Sequence, residues 1–272
     1  MAGVTRIGIL GCGAIAKGLL RAADRSELGP RVQVAGVHSR TADTARAFCG
    51  SLQHPAPYCD TLDDLVAASD LLIETAGGHT VPALAQKAFA AGKDLMVISV
   101  GALLDHPEII EGARTAGCRL IVPSGAIAGL DGIKSASSGR VDFVRLTSHK
   151  PPRALQGAPF IVQHGISLDG LTEAKELFFG PAREAVKGFP DNLNISAAVS
   201  LAGIGPDRTT VRIYADPAVQ RNCHDIEVEG EFGLLRVHIE NIPSENPKTG
   251  RLTALSMIRA VRDAVDPVRI GS

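Results

Sequence analysis

Arg6-Ile7-Gly8-Ile9-Leu10-Gly11-Cys12-Gly13-Ala14-Ile15-Ala16 is a short apolar strand running into a Gly-x-Gly-x-x-Ala turn that opens a helix. Gly11 permits the tight turn. Gly13 lets backbone amides approach an anion with no Cβ in the way, and Ala16 is small enough for the helix to pack on the strand. The positive end of the helix dipole then faces the phosphates of a dinucleotide. A compact βα turn uses the same glycines. What favours the dinucleotide reading is the context, a strand before and a helix over Ile15 to Ala23 after. Gly11, Gly13, Ala14 and Ile15 are the first cofactor-contact candidates.

Outward from this turn, strands and helices alternate. Arg31 to Val37 is β-branched and alternating, Thr41 to Cys49 is alanine-rich and helical, and Thr61 with Asp64 three residues on forms a capping box for a short helix. Apolar strands at Asp70 to Thr75, Asp94 to Val100 and Arg119 to Val122 are separated by helices at Pro82 to Ala91 and Glu108 to Ala116. The series predicts a doubly wound α/β domain, a parallel sheet covered on both faces. Beyond Pro123 the pattern changes. Val141 to Ser148, Thr209 to Ala215, His224 to Glu229 and Gly233 to Glu240 alternate apolar with polar, as in a mostly antiparallel sheet with one solvated face. Helical patterns fall at Leu130 to Ala136, Thr172 to Phe178 and Asn194 to Gly203. From Gly250 to Val265 a long amphipathic helix carries Leu252, Leu255, Ile258, Val261 and Val265, and is expected to pack back on the first domain.

A length of 272 residues favours two domains. The net charge of -1 argues against a nucleic-acid partner. No apolar run approaches the roughly 18 residues of a membrane span. The N-terminus enters the first strand without a basic-then-apolar leader, as expected of a cytoplasmic chain. The cysteines Cys12, Cys49, Cys59, Cys118 and Cys223 have no metal-ligand spacing and read as reduced thiols, so no metal is expected.

At the end of the second strand an NAD site uses a carboxylate on the ribose hydroxyls. Here His38-Ser39-Arg40-Thr41 has none, and Arg40 with Ser39 suits a 2′-phosphate. NADP is favoured over NAD, with Arg40 pointing to water or stacking on adenine as the alternative. Ligands sit beyond the carboxyl ends of parallel strands, which draws attention to Ala76-Gly77-Gly78-His79-Thr80, Ser99-Val100-Gly101-Ala102 and Pro123 to Gly129. Ala76, Gly77, Ser99 and Gly101 leave room for a flat ring, and His79 is a weaker substrate candidate.

His224 opens a strand of the second domain, and imidazole is the group best matched to proton transfer near neutral pH. It is the catalytic candidate, with a satisfied structural histidine as the alternative. Lys150, Arg153 and Arg221 stand near strand ends of the second domain, and each reads individually as solvated surface charge.

Five further stretches carry a resemblance over nearly the whole chain: Pro123 to Asp131, Asp191 to Ala198, Ala215-Asp216-Pro217 to His224, Gly230 to Gly233, and Asn246-Pro247-Lys248-Thr249. With the glycine turn, they resemble the L-aspartate dehydrogenase family. The resemblance implies that His224 is the active-site histidine and that Ala128 and Asn194 contact the cofactor. It implies a Rossmann-type domain followed by an α+β domain whose open sheet helps form a homodimer. The boundaries expected on this basis are 1–122 for the dinucleotide domain, completed by 241–272, and 123–240 for substrate binding and dimerisation. The implied reaction is NAD(P)-dependent oxidation of L-aspartate to iminoaspartate, reversible as reductive amination of oxaloacetate and linked to NAD biosynthesis, and the dicarboxylate it implies makes Lys150, Arg153 and Arg221 the candidate cations. A dihydrodipicolinate-reductase-like or sugar-dehydrogenase-like enzyme, or a non-catalytic NADP sensor, is the rival. Against the sugar enzymes, Ser99-Val100-Gly101-Ala102 lacks their Lys-Pro pair.

Overall fold

The computed structural model describes residues 3–190, 194–242, 250–268 and 270–271. The stretch Asn246 to Thr249 and the residues Asp191 to Leu193, both part of the resemblance, lie outside them. The chain divides into two compact units, the first running to Pro123 and resuming at Ala254, the second beginning at Ser124.

In the first unit, the strands β1 (Thr5–Leu10), β2 (Val32–His38), β3 (Leu71–Glu74), β4 (Asp94–Val97) and β5 (Leu120–Ile121) form one sheet in the order β2-β1-β3-β4-β5. Every pairing is parallel. The intervening helices are α1 (Ala14–Asp24), α2 (Ala42–Gly50), α3 (Leu62–Ala68), α4 (Val81–Ala90), α5 (Ala102–Asp105) and α6 (Glu108–Ala116). All of β3 is buried, as strands covered on both faces must be. The capping box is present: Asp64 N donates to Thr61 Oγ1 at 3.1 Å, and Thr61 N donates to Asp64 Oδ2 at 3.2 Å. The strand order reverses direction at β1, so the glycine turn sits at the switch point where such sheets bind ligands.

The second unit holds α7 (Leu130–Ala136), β6 (Val141–Lys150), α8 (Pro152–Leu155), α9 (Pro159–Gln163), β7 (Lys175–Pro181), α10 (Ala182–Gly188), α11 (Asn194–Ala202), β8 (Thr209–Ala215), β9 (Asn222–Gly230) and β10 (Gly233–Asn241). Its sheet has the order β10-β9-β6-β8-β7, parallel only between β6 and β8. Val144, Leu146, Val211, Ile213, Ile226 and Val228 are buried on one face. Residues between them, among them Arg236, Glu229 and Phe179, are exposed on the other.

Two expectations are corrected. Thr172 to Phe178 is not a helix, because Lys175–Pro181 is the edge strand β7, antiparallel to β8. Glu, Ala, Lys and Leu favour a helix locally, but cross-strand pairing and burial of Leu177 and Phe178 outweigh a preference of a few tenths of a kcal/mol per residue. The C-terminal helix α12 (Arg251–Val265) forms with a different buried stripe. Leu255 is exposed, whereas Thr253, Met257 and Val261 are buried at successive i, i+4 positions. Met257 and Val261 join Ile7, Ile9, Leu19, Leu71 and Ile73 in the core of the first unit.

Met257→Ala removes a fully buried side chain from that core. It is expected to cost about 2–5 kcal/mol, read as a lower urea midpoint with an unchanged slope.

Candidate active site

Beyond β1, Gly11 has φ 104°, and a Cβ there would lie 2.9 Å from the Thr75 backbone, so only glycine fits. Thr75 N and Thr75 Oγ1 both donate to Leu10 O, at 2.9 and 2.8 Å, drawing the ends of β1 and β3 together. Gly13, the residue before α1, is exposed, and a Cβ there would meet nothing within 4 Å. No side chain among the described residues caps this helix, and its first turn carries no acid. The leading amides at Ala14 and Ile15 thus face open space at the positive helix end, which fits a pyrophosphate.

At the end of β2, Ser39 Oγ lies 3.4 Å from Thr41 Oγ1, and Tyr58 OH donates to Ser39 O at 3.0 Å. Arg40 is exposed, and no side chain among the described residues pairs with it. The loops after β3 and β4 are joined by a residue that the sequence did not single out. Glu74, with no exposed surface, accepts from Ala76 N (2.8 Å), Gly77 N (2.7 Å) and Ser99 Oγ (3.0 Å) on Oε1, and from Ser99 N (3.0 Å) on Oε2. The Ala76, Gly77 and Ser99 donors are therefore turned inward. Gly101 is buried at the start of α5, and His79 is exposed in the turn Gly78–Thr80.

In the second unit, β6 and β9 align Ser148 opposite His224 on the covered face of the sheet, and Ser148 Oγ and His224 Nδ1 share a hydrogen bond of 3.0 Å. Lys150, next on the same face, is 2% exposed, as is His224. The expectation that Lys150 is a solvated surface charge is overturned: the alternation that buries Val144 and Leu146 also carries Ser148 and Lys150 inward. Burial pushes the Lys150 ammonium down to about 8. Burial, then the Lys150 charge, then His238, hold the His224 imidazole well below its ordinary value. It is therefore a neutral base at neutral pH.

Asn222 and Asn241, paired across β9 and β10, extend this polar patch, and Asn241 Nδ2 donates to Ala126 O at 2.6 Å. That bond ties down the loop carrying exposed Ala128, which continues into Gly129 packed on Val237. Asn194 is half-buried at the start of α11. Arg153 is exposed. Arg221 is not part of the patch; it is exposed and paired with Glu240 at 3.2 Å. On the opposite face His149 Nδ1 lies 2.8 Å from Asp216 Oδ2 and its ring stacks on Tyr214 at 4.6 Å. Asp216 Oδ1 accepts from Ala218 N, so the Asp216-Pro217 pair anchors a turn. Sequence reading missed Glu74, Ser148, Asn222 and Asn241. The last three were detectable as polar residues in register with an apolar face.

A bare helix end at the switch point of a parallel sheet and a desolvated imidazole in a second unit suit hydride and proton transfer, and the class is that of nicotinamide-dinucleotide-dependent oxidoreductases. Residues 11–123 match the model of the homoserine dehydrogenase NAD-binding domain, and residues 131–264 that of the aspartate dehydrogenase C-terminal domain. L-aspartate dehydrogenase 3 of Bordetella bronchiseptica is 42% identical over 98% of this chain and 97% of its own. The L-aspartate dehydrogenase of Bradyrhizobium diazoefficiens is 45% identical over 94% of this chain and 90% of its own. The chain belongs to the L-aspartate dehydrogenase family. The crystal structure of aspartate dehydrogenase from Thermotoga maritima, 24% identical, shares the fold with a TM-score of 0.74 over 98% of this chain and 99% of that one.

The two glycines of the turn separate stability from binding. Gly13→Ala is expected to leave stability within about 0.5 kcal/mol while weakening dinucleotide binding about tenfold or more. Gly11→Ala is expected to destabilise by about 2 kcal/mol or more. Thermal denaturation and calorimetric titration of both variants check this.

Proposed function

We propose that this chain oxidises L-aspartate to iminoaspartate with NAD(P), the iminoaspartate hydrolysing to oxaloacetate and ammonia, and that it runs the reverse amination at the same site. The observation that carries this reading is the buried Ser148–His224–Lys150 cluster in a chain that matches L-aspartate dehydrogenases along almost its whole length. A bound nicotinamide supplies the two-electron acceptor for the hydride leaving the substrate Cα.

His224 takes the proton leaving the amine as the C=N bond forms. For its Nε2 to accept, Nδ1 carries the ring hydrogen and donates it to Ser148 Oγ, a hydroxyl able to receive it. Lys150 supplies the cation that a dicarboxylate needs, and its charge keeps His224 unprotonated between turnovers. Low exposure of both groups strengthens these interactions relative to water. Ala128 and Asn194 are assigned to cofactor contact. Gly11, Gly13, Ala14 and Ile15 hold the pyrophosphate. Arg40, with Ser39, is assigned to a 2′-phosphate, which favours NADP over NAD; no acidic residue stands there to repel it.

The product class fits a supply of iminoaspartate to pyridine-nucleotide synthesis. The chain is assigned to the cytoplasm; among the described residues no helix is long and apolar enough to cross a membrane. Its outer sheet face, with Leu234 exposed on β10 beside the Arg236–Glu227 and His238–Asp225 pairs and Phe179 exposed on the opposite edge strand β7, suits a second copy in a homodimer.

Reduced-nicotinamide absorbance with a panel of L-amino acids, run with NAD and NADP, is expected to rise with L-aspartate; silence with aspartate would refute the reading. His224→Ala is expected to lower kcat about 10²–10⁴-fold while dinucleotide affinity stays put. Equal loss of both would make the histidine structural. Succinate, a dicarboxylate without an amine, is expected to bind well while Lys150 is charged and to lose about tenfold in affinity per pH unit above about 8. Lys150→Met should remove that dependence from the inhibition profile.

A further inference from the structure

Among the described residues of the first unit, Glu74 is the one acidic or basic side chain that is buried. It ends β3 between Leu10 of β1 and Val97 of β4, with no exposed surface, and no cation among the described residues pairs with it. An isolated buried carboxylate is costly. Four hydrogen bonds offset that cost here, three from backbone amides of two different loops and one from the Ser99 hydroxyl. A carboxylate has only acceptors, so it can receive all four.

The consequence lies on the other side of each peptide. In a trans peptide the carbonyl points opposite to the amide that follows it, and the chain has no cis bond among its described residues. With Ala76 N, Gly77 N and Ser99 N turned onto the carboxylate, the carbonyls of Thr75, Ala76 and Ile98 are turned away from it. Both loops follow strand carboxyl ends, where a dinucleotide on the glycine turn presents its nicotinamide half. That half carries donors, the carboxamide NH₂ and the ribose hydroxyls, which backbone carbonyls accept and backbone amides would repel.

We propose that Glu74 is a positioning residue for the nicotinamide half of the cofactor, holding the loops after β3 and β4 with their carbonyls outward. It acts through the peptides it orients and touches neither cofactor nor substrate. Glu74→Asp shortens the reach, and Glu74→Gln sets an NH₂ against Ser99 N–H while keeping an oxygen for Ala76 and Gly77. Binding selectivity therefore depends on the acid itself. This inference rests on the dinucleotide reading of the first unit.

Calorimetric titration of the full-length wild type and Glu74→Gln tests it with three ligands: the preferred dinucleotide, its 3-acetylpyridine analogue, which lacks the carboxamide NH₂, and the matching adenosine-diphosphate fragment, which lacks the nicotinamide and its ribose. Glu74→Gln is expected to weaken the dinucleotide about tenfold or more while the fragment stays within about twofold. The wild-type preference for carboxamide over acetyl is expected to shrink toward unity. Equal weakening of fragment and dinucleotide, or unchanged binding of both, would overturn the proposal. Should Glu74→Gln not fold, Ser99→Ala, which removes one donor and leaves the acid, must show the same selective loss at a few-fold. A wild type that binds no dinucleotide would sink the underlying reading instead.

Discussion

The close approach of the β1 and β3 ends is the constraint from which the cofactor half of the molecule follows. Thr75 presses its backbone against Gly11 and closes two hydrogen bonds onto Leu10. No side chain fits between them, so the chain must turn at Gly11 with a positive φ, and the turn aims α1 with its amides bare. The same approach places Glu74, one residue before Thr75, at the point where the loops after β3 and β4 meet. Backbone geometry at one contact thus decides what the sheet end offers a ligand: amides at the first helix, carbonyls at the next two loops.

The second unit solves a different problem, the burial of polar chemistry in an otherwise apolar sheet face. Strand register does this without special loops, because Ser148 and His224 meet as a cross-strand pair and Lys150 follows by the two-residue repeat. Two bases on one covered face, both poorly hydrated, are not both cationic at neutral pH. The lysine's charge is one reason the imidazole stays neutral, so the arrangement divides roles between an anchor and a base. The opposite face of the same strand end holds a second imidazole, His149, but that one is occupied by Asp216 and stacked on Tyr214, a structural arrangement.

What was legible in the sequence is what is encoded locally. The glycine turn, the Thr61 capping box and the alternation of strands and helices depend on residues within one or two turns of each other, and all three are present. The strand at Lys175–Pro181 was misread because its helix-forming residues yield to pairing with β8, a partner about thirty residues downstream. Lys150 was misread for a related reason. Lysine is so often solvated that composition outweighed its place in the alternation of β6. Glu74 left no trace at all, since a carboxylate at the end of an apolar run reads as the strand reaching water, and only the folded loops show that it has turned in.

The long helix α12 has a consequence for how the protein is made. The sheet begun at Thr5 is covered by Met257 and Val261, residues that follow every strand of the second unit in sequence. On a ribosome the first unit emerges with part of its apolar surface bare, and it stays so while the second unit is synthesised. Closure of the first unit waits until Met257 and Val261 have left the exit tunnel, after every strand of the second-unit sheet has been made. A chain interrupted before Met257 would therefore carry a complete second-unit sheet beside a first unit whose core lacks those two side chains.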